Sequence, residues 1–129
     1  MNEIGRALVI IAAVVVALGG VGLWAHYRTL VRQKSIHTEP LRPWPAVVVF
    51  TSTDCDACDP VRDTVFGRAP VEVVRELAYQ GRAEQFRSAG IEKVPAVVVI
   101  DGRGTPVGVF EGQVSARQIE RALRRARLG

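Results

Sequence analysis

Hydrophobic and polar positions divide the chain into an apolar N-terminal segment and a longer part in which short apolar runs alternate with polar stretches. Residues 7–25 carry no charge and are rich in Val, Ile, Leu and Ala. As a helix, this segment would cover ~28 Å, close to the hydrocarbon thickness of a bilayer. Trp24 and Tyr27 lie at its far end, where aromatic rings favour the membrane interface. The pattern predicts an N-terminal tail (1–6), a transmembrane anchor (7–27), a stalk (28–42) and a folded domain (43–129).

A cleaved signal peptide is the alternative interpretation of the apolar segment. The segment is long for a signal peptide, and Leu23-Trp24-Ala25 lacks the small-x-small pattern of a cleavage site. A retained anchor is therefore favoured.

The flanking charges bear on which side of the membrane the domain occupies. Arg28, Arg32 and Lys34 follow the apolar segment closely, whereas the residues before it hold one acidic and one basic side chain. By the positive-inside rule, this distribution places the domain in the cytoplasm. The chain is thus expected to be a single-pass protein of the cell membrane, with lipid as the partner of residues 7–27.

Beyond residue 43, the apolar runs predict alternating strands and helices. Ala46–Phe50 is a continuous, mostly β-branched run, typical of a strand buried on both faces. In the helix that follows the cysteines, Val61, Val65 and Phe66 are expected on one apolar face. The remaining predicted elements are a strand at 71–77, a helix at 81–89, strands at 95–100 and 107–110, and a final helix whose Ser115 and Gln118 fit a capping box. The order β-α-β-α-β-β-α predicts an α/β fold with a mixed four-stranded sheet and helices on both faces.

Composition narrows the function further. The net charge of +4 comes mainly from basic residues that crowd the segment after the anchor and the C-terminus. These basic segments have no aromatic residues interspersed among the basic ones and no recognised nucleic-acid-binding motif, so they do not indicate a nucleic-acid partner.

Two cysteines, Cys55 and Cys58, are the only ones in the chain and lie where the predicted buried strand gives way to a helix. At a helix N-terminus, free N–H groups and the positive end of the dipole stabilise a thiolate. Cys55 is therefore the predicted nucleophile, and Cys58 the thiol that closes a disulfide with it. Exchange of this kind needs no cofactor other than the Cys55–Cys58 disulfide itself.

The cysteine pair has two other interpretations. A zinc or iron–sulfur site needs two further Cys or His ligands, and His26 and His37 both lie outside the predicted domain. No metal site is therefore predicted within one chain, although a metal shared across a dimer stays open. A purely structural disulfide is disfavoured, because so short a loop constrains the unfolded chain little.

The predicted elements, the CxxC spacing and the Lys93-Val94-Pro95 segment before a later strand together resemble the thioredoxin superfamily over residues 43–127. The resemblance implies a minimal thioredoxin-like fold in which Pro95 is cis and faces the cysteines. It also implies that Val94 offers backbone hydrogen bonds to an extended substrate and that Gly112 borders the groove. An ordinary trans proline that opens a strand is the alternative from the residues alone. Tethered members of the superfamily commonly lie outside the membrane, which is the alternative to a cytoplasmic domain.

The sequence also departs from the family. Many thioredoxins carry Trp-Cys-Gly-Pro-Cys, and a buried acid six residues before the first cysteine relays protons, whereas Val49 occupies that position here. Asp54, Asp56 and Asp59 crowd the cysteines, and their negative charge opposes formation of a thiolate. These carboxylates are predicted to modulate the cysteine pKa values and to make the couple reducing, because strong oxidants depend on a stabilised reduced form.

The sequence therefore predicts a thiol–disulfide oxidoreductase, more a reductase than an oxidant, that acts on protein disulfides at the membrane. Its expected partners are a protein thiol or disulfide substrate and an unidentified redox partner. The alternative is a redox-inert thioredoxin-fold binding module that holds a partner protein at the membrane. A copper-delivery protein of the same fold is disfavoured, because such proteins have wider cysteine spacing and a distal His that the domain lacks.

Overall fold

The structure is a computed structural model that describes residues 2–128, with the side chains of residues 29–35 left undescribed. The predicted charge pattern of Arg32 and Lys34 therefore lies outside the described side chains. The chain divides into two compact units, Met1–Arg32 and Gln33–Gly129.

The first helix, α1, extends over Glu3–Ser35. Its Glu3–Arg28 part is long and apolar enough to cross a membrane by length and composition, with a mean hydropathy of 2.6. The helix continues through 28–35, the first part of the predicted stalk. Most residues of that stretch are the good helix formers Arg, Leu, Gln and Lys, and the first proline after it is Pro40.

The second unit confirms the predicted order of strands and helices. Its strands are β1 (Ala46–Thr51), β2 (Val74–Ala78), β3 (Ala96–Ile100) and β4 (Pro106–Glu111). Its helices are α2 (Cys58–Arg68), α3 (Ala83–Ala89) and α4 (Ala116–Arg125). The sheet has the order β2-β1-β3-β4 and is mixed, with β1 parallel to β2, and β3 antiparallel to both β1 and β4.

The two faces of the sheet build two apolar clusters, because successive side chains of a strand point to opposite faces. From β1, Val47 and Val49 pack with α2 and α4, whereas Val48 and Phe50 pack with α3. The whole of β1 and β3 is buried, as the continuous apolar runs predict.

Packing of the domain extends toward the N-terminus beyond residue 43. Ile36 and Leu41 are 5% and 1% exposed and belong to the cluster on the α3 face. The Arg75 guanidinium of β2 donates hydrogen bonds to the carbonyl oxygens of Leu41, Arg42 (2.8 Å) and Pro43 (3.3 Å). Burial lowers the pKa of Arg75. Part of the predicted stalk thus packs against the domain and is hydrogen-bonded to it.

Two local predictions need correction. Phe66 is 44% exposed, whereas Val61 and Val65 are buried, because residues four apart share a helix face and the next residue is turned ~100° away. The second strand starts at Val74 instead of residue 71, since the Val73 N–H bonds the Pro70 carbonyl (3.1 Å) in a turn.

The capping box that starts α4 is confirmed. The Gln118 N–H donates to Ser115 Oγ (3.2 Å), and the Ser115 N–H donates to Gln118 Oε1 (2.9 Å).

Candidate active site

Cys55 and Cys58 form a disulfide at the edge of the sheet where β1 ends. Their Cα atoms are 5.4 Å apart. Cys55 is half-buried, whereas Cys58 is 1% exposed. An attacking or attacked sulfur must be reachable, so the exposure difference agrees with the predicted roles of Cys55 as nucleophile and Cys58 as resolving thiol.

The start of α2 differs in detail from the prediction. The helix begins at Cys58, so Cys55 precedes it by three residues, and the Cys58 N–H donates to the Cys55 carbonyl (3.3 Å). The Cys58 N–H is therefore already engaged, and Pro60 in the first turn has no N–H. The first turn therefore has fewer free N–H groups than usual with which to stabilise a thiolate.

The segments predicted to bind substrate reach the same sheet edge. In the strand register, Phe50 at the end of β1 is opposite Ala96, and Ala96 is opposite Glu111. Pro95 and Gly112 directly adjoin these paired residues, and the Gly112 N–H donates to the Pro95 carbonyl (2.9 Å).

The conformations of these segments agree with the resemblance. The Val94–Pro95 peptide is cis, Pro95 is buried, Val94 is half-buried and Gly112 has a φ of +76°. The structure thus brings Val94, Pro95 and Gly112 together, while their part in substrate binding stays a prediction.

The three aspartates around the cysteines are all exposed. Asp59 Oδ1 forms an ion pair with Arg62 Nη1 at 2.7 Å. Within the described part of the chain, the carboxylates of Asp54 and Asp56 form no ion pair. Two uncompensated negative charges therefore flank Cys55.

Sequence reasoning missed a network on the α2 face of the sheet. Arg62 binds Glu76 through Nη2 (2.8 Å to Oε1) and Nε (2.9 Å to Oε2). Glu76 Oε1 also accepts a hydrogen bond from Thr51 Oγ1 (2.9 Å), and Thr51 is 2% exposed. The hydrogen bond from Arg62 to Glu76, together with the carboxylate charge, raises the pKa of Arg62. The available signal was a basic residue four positions after Cys58 and an acid within a strand.

Comparison with known proteins gives matches of two kinds, to a family model and to solved structures. The sequence model of a family described as thioredoxin-like domain matches residues 37–127. Among solved structures, the oxidised C-terminal domain of DsbD from Neisseria meningitidis is similar, with a TM-score of 0.51 and 17% sequence identity. The similarity covers 83% of this chain and 95% of that chain, and at this identity it shows the fold alone. Comparison with curated protein sequences finds no match.

Proposed function

The chain belongs to the thioredoxin-like domain family, and from this premise we propose that it is a thiol–disulfide oxidoreductase that reduces protein disulfides at a membrane. Family membership and the disulfide-bonded CxxC pair support thiol–disulfide exchange in general. The single observation that carries the proposal is the half-buried Cys55, bonded to a fully buried Cys58 at the sheet edge.

The proposed reaction has two exchange steps. The Cys55 thiolate attacks one sulfur of a substrate disulfide, a mixed disulfide forms, and the other substrate sulfur leaves as a thiolate. Cys58 then loses its proton and attacks the Cys55 sulfur, which releases the second substrate thiol and restores the Cys55–Cys58 disulfide. Two electrons and two protons pass from the domain to the substrate, and a separate redox partner must return them.

The reducing direction rests on the surroundings of Cys55. The charges of Asp54 and Asp56 oppose a thiolate, and the first turn of α2 has few free N–H groups to offset them. A poorly stabilised thiolate disfavours the reduced form, so the dithiol gives up its electrons readily.

The loop that contains Val94 and Pro95 is proposed to hold the substrate. Backbone groups of Val94 would pair with an extended segment next to the substrate disulfide, as a strand pairs at a sheet edge. The Gly112 N–H donates a hydrogen bond to the Pro95 carbonyl. The space beside Gly112 is open, because a Cβ at this position would meet nothing within 4 Å.

The membrane location rests on α1. The large apolar side chains of its 4–27 part are exposed, as expected of a lipid-facing helix. The Arg28 guanidinium lies 4.7 Å from the centroid of the Trp24 ring, an arrangement suited to the membrane interface. We propose that α1 tethers the domain to a membrane, so that its substrates are proteins at that surface.

The first test is the reduction potential of the full chain in detergent micelles, equilibrated in thiol–disulfide buffers and read by alkylation mass shift. A potential near or below about −230 mV would support a reductase, whereas ~−120 to −180 mV would indicate disulfide formation. If no reversible couple is found, the exchange activity is refuted and the redox-inert binding module takes its place.

Single serine variants test the roles of the two cysteines. Cys58→Ser should accumulate a mixed disulfide with a protein substrate, because the resolving thiol is missing. Cys55→Ser should trap none, since the remaining Cys58 is buried. Equal trapping by both variants would contradict the assigned roles.

A further inference from the structure

Arg62 places a positive charge on the same helix face as Cys58. The two residues are four apart in α2, a spacing that brings their Cβ atoms to about 5–6 Å. The sulfur of Cys58 is bonded to that of Cys55, so a charge near one cysteine acts on the whole couple.

Glu76 holds this charge in place from the neighbouring strand. In the parallel register Glu76 is opposite Val49, whose side chain packs toward α2 and α4. Residues opposite each other in neighbouring strands share a face, so Glu76 lies on the face covered by α2. The side chains of Arg62 and Glu76 are 34% and 30% exposed, which leaves the ion pair only partly screened by solvent.

We propose that Arg62 and Glu76 form a positioning pair that sets the redox equilibrium of the Cys55–Cys58 couple, with the two charges acting in opposite directions. This inference rests on the proposed thiol–disulfide exchange. Arg62 stabilises a cysteine thiolate and hence the reduced form, while Glu76 limits that effect by binding the guanidinium. The charged side chains that contact the Arg62 guanidinium are Asp59 from α2 and Glu76 from β2.

Opposite signs follow from removing each charge. Arg62→Gln leaves Asp59 and Glu76 as uncompensated anions near the thiolate, so the disulfide becomes favoured and the couple more reducing. Glu76→Gln frees the Arg62 guanidinium from one of its carboxylate partners, so its charge stabilises the thiolate more strongly. The reduced form is then favoured and the couple becomes more oxidising. A purely structural ion pair would instead lower the stability of the domain in both variants without moving the redox equilibrium in opposite directions.

The experiment equilibrates the full chain in detergent micelles with reduced and oxidised glutathione at pH 8.5, near the ordinary pKa of a thiol. Oxidation of the two thiols transfers two electrons and two protons to glutathione disulfide, which becomes two molecules of glutathione. The equilibrium constant for this oxidation should rise about three- to tenfold in Arg62→Gln and fall by a similar factor in Glu76→Gln. Tenfold corresponds to ~30 mV for a two-electron couple.

Matched controls come from an ion pair farther along α2. Arg68 and Glu120 are 2.9 Å apart, and Arg68 lies ten residues, or ~15 Å along the helix, beyond Cys58. Arg68→Gln and Glu120→Gln make the same charge changes and should alter the equilibrium less than twofold. Two further variants should have an equilibrium constant close to that of the unaltered protein. They are Arg62→Lys, which keeps the charge, and the Arg62→Gln/Glu76→Gln double variant.

The results separate this proposal from the proposed function. The positioning pair is supported if the equilibrium constant shifts in opposite directions in the two variants and changes less than twofold in the controls. A reversible couple with shifts no larger than the controls, or shifts of one sign, overturns the positioning pair and leaves the oxidoreductase intact. If no reversible couple forms in the unaltered protein, both proposals fail. Circular dichroism shows whether Arg62→Gln folds. If it does not, the equilibrium constant for oxidation must still be lower in Glu76→Gln than in Glu120→Gln, or the inference is overturned.

Discussion

Gly112→Ala tests how the loop beside the cysteines is built. Gly112 follows β4, has a φ of +76° and donates its N–H to the Pro95 carbonyl at 2.9 Å. A Cβ there would meet nothing within 4 Å, so the methyl group would project into open space without a clash. Two separate effects are expected, one on stability and one on substrate binding.

The stability effect comes from the backbone alone. A left-handed conformation costs an alanine roughly 1–2 kcal/mol, and the loss of glycine's freedom in the unfolded chain returns about 0.4–1 kcal/mol. The net destabilisation should be about 1 kcal/mol, or a fall in Tm of ~4–8 °C for a domain of this size. The substrate effect comes from the methyl group beside the Pro95 loop, where an obstruction of about 1 kcal/mol would lower kcat/KM about fivefold.

Thermal unfolding followed by near-UV circular dichroism measures the first effect. The rate of insulin disulfide reduction, compared with the reduction of a small aromatic disulfide, measures the second. Gly81→Ala is the matched control, because Gly81 has a φ of +82°, open space around its Cβ and a position between β2 and α3. Both variants should lose similar stability, and only Gly112→Ala should lose insulin reduction selectively. Equal insulin reduction in the two variants would refute the placement of Gly112 at the groove.

Three further variants and one control test the packing and capping of the domain, each measured by denaturant unfolding of the full chain in micelles. Ile36→Ala should cost about 2–5 kcal/mol, because Ile36 is 5% exposed in the core, whereas Val71→Ala, at a position 72% exposed, should stay within ~0.5 kcal/mol. A small effect of Ile36→Ala would contradict its assignment to the domain. Ser115→Ala removes the N-cap of α4 and should cost ~1 kcal/mol, and an unchanged midpoint would show that the cap contributes nothing. Gly104→Ala combines a φ of +86° with overlap of the new Cβ and the Trp44 ring, so a loss of about 2–4 kcal/mol and altered Trp fluorescence are expected. Retention of full stability would refute that contact.

The order of strands and helices could be predicted because local patterns determine it. The β-branched runs at 46–50 and 96–100 are buried from end to end, and continuous apolar runs are typical of strands covered on both faces. The capping box at Ser115 has a signature only four residues long, and the structure shows both of its hydrogen bonds. Such features need no knowledge of distant partners.

The extent of the domain toward the N-terminus was harder to predict. Ile36 is a single apolar residue among polar neighbours, so no periodicity indicates its burial. It packs with the cluster on the α3 face, and the next residue, His37, donates its N–H to the Ala89 carbonyl at 3.0 Å. Contacts between residues more than fifty positions apart depend on the fold and leave no local signal.

The ion pair of Arg62 and Glu76 on the α2 face of the sheet depends on distant contacts as well, so the sequence did not predict it. Val49 occupies the position of the family's buried acid, so the sequence indicates that this particular carboxylate is missing. The parallel register of β1 and β2 nevertheless places Glu76 opposite Val49, and the turn of α2 brings Arg62 to it. The Glu76 carboxylate thus lies on the strand next to the position of the family's buried acid, and it forms an ion pair with Arg62. We propose that the redox equilibrium of the couple depends on the balance of these two charges, which is why they must be removed separately as well as together.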